Sequence, residues 1–559
     1  MSSLLLHPGL LLIAGGLLLG ALRGHARAAA ILLLPVAALW LVWAAPDAAA
    51  GPALRFLDYS LSPLAPDSLS RLFAAIFAIM AFGGGLFALN QQSRLEVPAA
   101  FVYAGSAIGV AMAGDLITVF VFWELMAIGS TLVLWSGGAY RASFRYLMVH
   151  LLGGVLLMAG IAGHVATTGS IDFVRMTLDT PWHVLMLAGF LINAGAPPLS
   201  AWLPDAYPEA SWSGTVFLSA FTTKTAVYVL LRGFPGNEIL IYIGVFMIFY
   251  GIIYALLEND MRRILAYSIV NQVGFMVAGA GIGTEMAVNG AAAHAFTHII
   301  YKALLLMSAG SVLYMTGKRK CTELGGLFQS MPITCICGII GALAISSFPL
   351  TSGFVSKSMI SQAAADQHLL WIWLALAAAS AGVFLHAGIK FPWFVFFQKD
   401  SGLRPPDPPA NMRVAMILFS ALCILIGVWP EPLYGLLPYA TAYEPYTATH
   451  VVSQLQLLLF SGLAFFVMLD YLKCTLTVSL DADWVYRVLA PAVWRVLERG
   501  YQSMMLVVSG ITSRSLGAAG ALLKRYYGPD GLLGRTWSTG GTALWMMVLL
   551  LAYLITYLA

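Results

Sequence analysis

The sequence predicts an all-α polytopic membrane protein with about 14–15 transmembrane helices. Of its 559 residues, 60% are hydrophobic and only 10% are charged, whereas about 25% of the residues in a soluble globular protein are charged. Apolar runs of about 18–25 residues recur along the chain, which is the length that crosses roughly 30 Å of hydrocarbon. Both observations argue against a soluble fold, because most side chains are too apolar to face water.

The apolar runs divide the chain into four expected regions. These are N-terminal transmembrane helices at 1–95, a twice-interrupted core at 96–400, C-terminal transmembrane helices at 401–475, and an amphipathic tail with a terminal span at 476–559. In the tail, Trp484, Leu489 and Trp494 recur at roughly helical spacing among arginines. That pattern is typical of a lateral helix that lies in the membrane interface or against neighbouring helices. The apolar run from Thr542 to Leu558 predicts a last span.

Basic residues gather in alternate loops. Arg23 and Arg27 follow the first span, Arg94 follows the third, and Arg141 and Arg145 follow the fifth. Because cytoplasmic loops of membrane proteins are enriched in lysine and arginine, these loops are predicted to be cytoplasmic. The N-terminus is then expected on the opposite, periplasmic side.

Two apolar runs of the core are interrupted in a similar way. The first break is Ala196-Pro197-Pro198, continued through Pro204 and Pro208 until the run resumes near Ser213, and the second is 348–353, after which the run resumes at Phe354. Proline removes a backbone donor, and freed backbone survives in a membrane only where protein covers it or it lines a wet cavity. Paired breaks point to a transport site, and Lys224 and Lys357 follow them. The alternative is two unrelated proline kinks.

Ionisable side chains also lie within the apolar runs, where each costs roughly 2.5–3.5 kcal/mol to insert and is a functional candidate by default. A buried carboxylate such as Glu124 needs a cationic partner or a proton, and Lys224 is its candidate partner. The candidate site residues are Glu124, Lys224, His294, His298, Lys302 and Lys357.

Three of these residues, His294, His298 and Lys302, are spaced i, i+4 and i+8 and are called the central trio below. On a helix this spacing stacks them along one face. Histidine titrates near neutral pH, and a lysine in a low-dielectric environment releases its proton more readily than one in water. The central trio is therefore predicted to pass protons.

The remaining histidines and lysines of the apolar runs have weaker support. His386 and Lys390 are second-tier candidates, since they lie four residues apart in one run but are also placed to snorkel toward the cytoplasmic edge. His150, His164 and His183 lie near the ends of runs. They are expected to be interfacial or hydrogen-bonded core residues.

The five cysteines show no metal-ligand spacing. Cys335 and Cys337 are two residues apart in an apolar run, so on a helix they diverge. We expect no cofactor and no metal site.

Four stretches resemble one known family: GDLITVFVFWELM, APPLSAWLPDAYPEA with the following Lys224, ENDMRRILAYSIVNQVGF, and HAFTHIIYKALLLMSAGSV. They are similar to the antiporter-like membrane subunits shared by respiratory complex I and the multisubunit Mrp-type cation/proton antiporters, with the D subunit of the latter closest. The resemblance covers most of residues 60–430. It implies that 96–400 is a proton-conducting core of two inverted repeats, each with a broken helix.

The resemblance also implies roles for the candidate residues. Glu124 matches the essential glutamate of the first repeat, and Lys224 matches the lysine on the broken helix that pairs with it. The central trio matches the positions that link two half-channels. Lys357 matches the exit-side position on the second broken helix.

The chain departs from the family pattern at several positions. Arg262 and Arg263 stand where lysine then arginine is usual, and because arginine hardly deprotonates, Arg262 is a second-tier residue that tunes charge rather than carrying protons. Gln272, Ser200 and Tyr207 stand where histidine is frequent. These departures leave the proton entry path open.

The resemblance predicts a proton-translocating subunit of a Na⁺(K⁺)/H⁺ antiporter in a bacterial inner membrane. Expected partners are other membrane subunits, protons, Na⁺ or K⁺ and the lipid bilayer, with no nucleic acid. The alternative is a pumping subunit of an NADH–quinone oxidoreductase or membrane hydrogenase without its own redox centre, because the lateral tail is similar to that of the longest complex I subunit of this kind. A module that energises bicarbonate uptake is a third possibility.

Overall fold

The computed structural model describes residues 7–45, 54–476 and 480–559. Residues 1–6, 46–53 and 477–479, which belong to the predicted regions 1–95 and 476–559, lie outside the described part. In that part the chain is helical apart from loops and one antiparallel hairpin of β1 (Leu54–Phe56) and β2 (Tyr59–Leu61). The predicted all-α membrane fold is confirmed.

The first seven helices precede the first predicted break. Their ends follow local chemistry: Asp67 caps α3 in a capping box with Ser70, and the carboxylate of Asp115 accepts from the backbone N–H of Thr118 at the start of α5. They are α1 (Pro8–Leu19), α2 (Gly24–Ala44), α3 (Ser68–Phe87), α4 (Glu96–Met112), α5 (Leu116–Ser136), α6 (Tyr140–Thr168) and α7 (Pro181–Ala194).

The central helices form the most buried part of the molecule. They are α8 (Trp202–Ala206), α9 (Gly214–Leu218), α10 (Thr222–Gly233), α11 (Ile239–Leu257), α12 (Met261–Ile282), α13 (Glu285–Thr316), α14 (Pro332–Ile345) and α15 (Ser352–Asp366). Gly244 of α11 and Gly274 of α12 face each other so closely that an added Cβ on Gly244 would lie 2.5 Å from the Gly274 carbonyl oxygen. Small residues of this kind let membrane helices approach closely.

The last helices of the first compact unit, which ends at Asp483, surround this centre. They are α16 (Leu370–Val383), α17 (Ala410–Val428), α18 (Glu431–Tyr434), α19 (Ala448–Val467) and α20 (Leu469–Leu472). After α16 the helix continues in π geometry through Phe384–Lys390 and Trp393–Phe397.

The second unit, Trp484–Ala559, holds α21 (Ala490–Tyr527) and α22 (Thr539–Leu558). Together with the π segment Val485–Leu489, α21 makes a helical stretch of 43 residues. At 1.5 Å per residue this is about 64 Å, which is too long for one crossing of roughly 30 Å. Its length matches the predicted lateral helix.

Within the described residues, 13 helices are long and apolar enough to cross a membrane, and four shorter apolar helices accompany them. The central trio lies on one of these helices, α13, which extends the predicted apolar run 287–314 by two residues at each end. The predicted multi-pass architecture is therefore confirmed.

Both interruptions predicted from the sequence are present, and the structure contains a further break that the sequence does not predict. The predicted interruption at 196–208 separates α7, which ends at Ala194, from α9, which begins at Gly214, and the second separates α14 from α15 at residues 346–351, where Leu350 has a φ of 69°. The further break lies at Ser219–Phe221, between α9 and α10, and is called the first break below because it interrupts the helix that carries Lys224. The proline segment is the connection that leads into the broken helix. This break contains no proline or glycine, and it is stabilised by hydrogen bonds from Lys224 to the Ser219 carbonyl and from the Thr222 backbone N–H to the Tyr103 hydroxyl of α4.

Candidate functional site

Lys224 lies one turn after the first break and is fully buried. Its Nζ donates to the carbonyl oxygen of Ser219 at 2.7 Å and to Thr223 Oγ1 at 3.1 Å. The break frees the Ser219 carbonyl from the helical ladder, and the lysine satisfies it. Tyr103 of α4 supports the same break, since its hydroxyl lies 2.5 Å from Thr222 Oγ1.

The predicted ion pair between Glu124 and Lys224 is not formed. Glu124 is half-buried on α5, and its Oε1 has no hydrogen-bond partner among the described residues. The carboxylate lies against Gly154 of α6, where an added Cβ would overlap Oε1. In this conformation the lysine instead donates to the carbonyl and hydroxyl of its own broken helix, and a movable pair of Glu124 and Lys224 stays a prediction.

The central trio is fully buried and faces α12 and α15. Lys302 Nζ donates to Ser268 Oγ of α12 at 2.9 Å. His294 Nε2 lies 3.0 Å from Gln272 Oε1, and its Nδ1 lies 3.3 Å from Ser356 Oγ of α15. The histidine thus joins α12 to the second broken helix.

His298 occupies the middle of the trio without a protein partner on either ring nitrogen among the described residues. Its ring packs edge-on against Tyr301 at 5.2 Å, and the charges of Lys224 and Lys302 both act on it. Buried polar groups are almost always hydrogen-bonded, to water where no protein group serves. His298 is thus a buried imidazole without a protein hydrogen-bond partner in the described part of the chain, and it lies between His294 and Lys302 on α13.

Lys357 follows the second break on α15 and is 3% exposed. Its Nζ has no hydrogen-bond partner among the described residues and lies 5.2 Å from the ring centroid of Phe275. The charge of Lys357 acts on His294. The structure thus brings Lys224, the central trio and Lys357 into one buried file, with Glu124 apart from it.

Sequence reasoning missed the polar residues that complete this file. The sequence marks Gln272 only as the absence of a histidine, yet its oxygen accepts from the hydroxyl of Tyr301 at 3.2 Å as well as contacting His294. Ser356 bridges His294 and Thr297, whose Oγ1 lies 2.8 Å away. The sequence signal that could have identified Ser356 is its position, since it is a small polar residue directly before Lys357.

The second-tier residues have structural contacts. The Arg262 guanidinium donates to the carbonyls of Ala210 and Ser211, each at 2.8 Å, and thereby holds the loop before α9. Lys390 Nζ donates to the Glu258 carbonyl at 2.8 Å, just beyond the end of α11. His386 is buried with Nδ1 2.9 Å from the Gly382 carbonyl. Any transport role for these residues remains a prediction.

Residues near the first break extend the polar region toward α6. His150 is a hydrogen-bonded core histidine, as the sequence predicts: it is 1% exposed, its Nδ1 lies 2.9 Å from the Tyr146 carbonyl oxygen, and only its Nε2 has no partner among the described residues. It stacks on Tyr146 at 3.9 Å and meets Trp202 edge-on at 4.7 Å. Ser200 and Tyr207, at positions where the family frequently has histidine, are both buried.

The fold and the site define a class: a multi-pass membrane protein whose core holds a file of buried titratable side chains between two broken helices. Residues 113–382 match the family described as NADH:quinone oxidoreductase/Mrp antiporter, transmembrane region. The family resemblance carried by the four sequence stretches is confirmed.

Relatives of known name are similar to this chain over about two thirds of its length. The D subunit of a Na⁺/H⁺ antiporter from Alkalihalophilus pseudofirmus is 28% identical over 404 residues, which cover 66% of this chain and 81% of that protein. The A/B subunit of a probable K⁺/H⁺ antiporter from Rhizobium meliloti is 29% identical over 402 residues. The chain spans only 40% of the length of that second relative.

A solved structure matches nearly the whole fold. A chain of the membrane-bound sulfane sulfur reductase, an archaeal respiratory membrane complex, superposes with a TM-score of 0.70 at 23% identity. The alignment covers 98% of this chain and 99% of that chain. The two chains therefore share their fold over nearly their whole length.

Proposed function

We propose that this chain is the proton-translocating subunit of a multisubunit monovalent cation/proton antiporter. The observation that carries the proposal is the buried file from Lys224 through the central trio to Lys357. A buried lysine or imidazole without a fixed counter-ion is suited to exchanging protons. The relative named as the D subunit of a Na⁺/H⁺ antiporter supports the choice of cation exchange.

In the proposed mechanism a proton moves along the file from one broken helix to the other. Lys224 passes it to the central trio by way of His298, and His294 passes it across the Ser356 hydroxyl to Lys357. Glu124 acts by closing on Lys224 in a second conformation, which holds that lysine protonated. A charge that moves by one site changes the energy of the next by about 4 kcal/mol at 4 Å and an effective dielectric of 20.

We further propose a bacterial inner-membrane location with a periplasmic N-terminus. Arginines at one end of the bundle support this orientation, since Arg145 pairs with Asp205 at 2.7 Å and Arg319 pairs with Glu209 at 3.1 Å in the same loop. By the positive-inside rule that end is cytoplasmic. The four regions 1–95, 96–400, 401–475 and 476–559 are proposed as its functional divisions.

The decisive test is cation-dependent proton flux in everted membrane vesicles that carry the complete native gene cluster. A pre-formed pH gradient is expected to collapse when NaCl or KCl is added. A pH gradient that does not change when NaCl or KCl is added contradicts the proposed exchange activity.

Lys224→Ala tests the site within that assay. Removing a proton carrier typically costs about a hundredfold or more in rate, so the cation-dependent flux is expected to fall to background at equal abundance of the complex. Lys318→Ala, which removes an exposed lysine from the loop after α13, is the matched control and is expected to keep the native flux. Undiminished flux in Lys224→Ala refutes the proposed path.

A second candidate function is a proton pump driven by a redox partner. The structural match to the chain of the archaeal respiratory complex covers 98% of this chain and so includes the lateral tail, whereas the structural match to a chain of an Mrp complex covers 81%. In that case the pH gradient forms when NADH or another reductant is added and is indifferent to Na⁺ and K⁺. The same vesicles distinguish the two functions.

A further inference from the structure

A second buried carboxyl lies outside the file described above. Glu96 begins α4, and its side chain is completely buried at 0% exposure. Its Oε1 accepts a short hydrogen bond from Ser213 Oγ and one of 3.1 Å from Gln91 Nε2. Its Oε2 accepts from Ser136 Oγ at 3.4 Å. The carboxyl therefore draws together α4, the end of α5 and the loop before α9.

No fixed counter-ion neutralises this carboxyl. Among the residues that the structure describes, no lysine, arginine or histidine forms a salt bridge with Glu96. The nearby charge is Arg262 of α12, which acts on it electrostatically while its guanidinium donates to Ala210, Ser211 and Thr215. A buried carboxyl held by neutral donors is free to take up and release a proton, because no ion pair fixes it in one state.

The carboxyl has a polar path to the surface. Gln91, Ser136 and Ser211 are each half-buried, and Gln91 Nε2 lies 2.8 Å from Ser213 Oγ and 3.5 Å from Ser211 Oγ. Ser211 Oγ in turn lies 3.3 Å from Ser213 Oγ. These groups form a hydrogen-bonded rim between water and Glu96, at the end of the bundle that holds Arg262.

The same helix, α4, also carries a second polar side chain deeper in the bundle. Tyr103 lies seven residues after Glu96, two turns along the same face of α4. Glu96 contacts Ser213 just before α9, and the Tyr103 hydroxyl accepts from the Thr222 backbone N–H at 2.8 Å just after α9. Helix α4 therefore places an acid at one end of the short helix α9 and a phenol at the other end, next to the break that holds Lys224.

We propose that Glu96 is the proton-loading residue of the first half of the chain, taking a proton from the cytoplasmic water at the serine rim and delivering it toward Lys224. The inference rests on the proposed function, because it assumes that Lys224 receives transported protons. In the transfer the Glu96 carboxylic acid loses its proton and the neutral amine of Lys224 gains one, with the Ser213 and Tyr103 hydroxyls relaying it. No electron transfer or co-reactant is needed.

The test is Glu96→Gln in the assembled complex, measured by initial proton flux in everted vesicles. The amide keeps the size of the side chain and an acceptor for Ser213 but carries no exchangeable acid. Flux is expected to fall at least about tenfold at equal abundance of the complex. Glu323→Gln, at an exposed carboxylate of the same end that pairs with Lys318 at 3.6 Å, is the matched control and is expected to conduct like the native chain.

Glu96→Asp separates a proton-loading role from a structural one. The shorter acid is expected to restore flux partly and to shift its pH midpoint, which a merely structural contact would not do. Flux of Glu96→Gln at the native rate overturns the inference, as does a native pH profile in Glu96→Asp. If Glu96→Gln fails to assemble, the profile of Glu96→Asp decides the question alone.

Failure of this inference is distinguishable from failure of the proposed function. The native vesicles are measured first, and a lack of cation-dependent flux there refutes the antiporter, not the role of Glu96. In that case the same variants are compared in reductant-driven proton uptake, with the same expected loss in Glu96→Gln.

Discussion

At the residue scale, the feature to explain is that hydroxyl groups hydrogen-bond to several of the titratable side chains in the buried file. Thr223 and Ser268 accept from Lys224 and Lys302, at 3.1 and 2.9 Å. Neutral acceptors of this kind position an amine without fixing its charge, whereas a carboxylate would hold it protonated. The choice of serine and threonine therefore suits groups that must gain and lose protons.

Ser356→Ala is the residue-scale prediction. Its hydroxyl is within hydrogen-bonding distance of both His294 and Thr297, and loss of one such contact is worth about 1 kcal/mol, or about fivefold in rate. Proton flux is expected to fall by that factor with the complex still assembled. Both hydroxyls donate to a carbonyl of their own helix, Ser356 to Ser352 at 3.1 Å and Ser358 to Phe354 at 2.6 Å, so Ser358→Ala is the matched control for the loss of that bond. Equal flux in the two variants contradicts a relay through Ser356.

At the element scale, a carboxylate ties the segment after α20 to the centre of the bundle. Asp481 Oδ2 accepts from the hydroxyls of Tyr250 on α11 and Tyr267 on α12, each at 2.6 Å. The Tyr254 hydroxyl donates to the Leu480 carbonyl at 2.9 Å. Tyr267 precedes Ser268, the acceptor for Lys302, so this anchor and the buried file share α12.

Asp481→Ala is expected to release this anchor. Hydrogen bonds to a charged group are worth about 1.5–3 kcal/mol each, so amide hydrogen exchange at residues 480–483 is expected to accelerate at least about tenfold. Asp470→Ala, which removes a carboxylate 96% exposed in α20, is the control and is expected to leave that exchange unchanged. Unaltered protection in Asp481→Ala contradicts an anchoring role.

At the scale of the whole molecule, charge is divided between the two ends of the bundle. Lys318, Arg319 and Lys320 lie in the loop after α13, and Arg319 also pairs with Asp260 at 2.9 Å. The opposite end carries Asp172 and Asp179 in the loop between α6 and α7. By the positive-inside rule, we expect the end that carries Lys318, Arg319 and Lys320 to lie in the cytoplasm.

Cysteine labelling in intact cells tests the orientation. In a background without the native cysteines, Asp179→Cys is expected to react with a membrane-impermeant maleimide, and Lys318→Cys is expected to react only after the cells are opened. Both positions are exposed, so reactivity reports the side of the membrane. The reverse pattern refutes the periplasmic N-terminus.

The fold class, the resemblance to the antiporter-like subunits and the placement of the central trio on one helix could all be predicted from the sequence alone. The length of an apolar run and helical spacing are local properties, so they can be recognised without knowing which helices pack together. The second break was also predicted within about two residues, because the stretch from Phe348 to Gly353 that ends the helix is itself part of the sequence.

The neighbours of each of these residues could be identified only from the tertiary structure. The first break at Ser219–Phe221 depends on Tyr103 and Lys224, and the separation of Glu124 from Lys224 depends on the packing of α5 against α6. Contacts with segments distant in sequence are what identify Gln272, Ser356 and Glu96 as candidate site residues. The physical reason is that a buried polar group must find its partner across helix interfaces, and no local pattern specifies which interface supplies it.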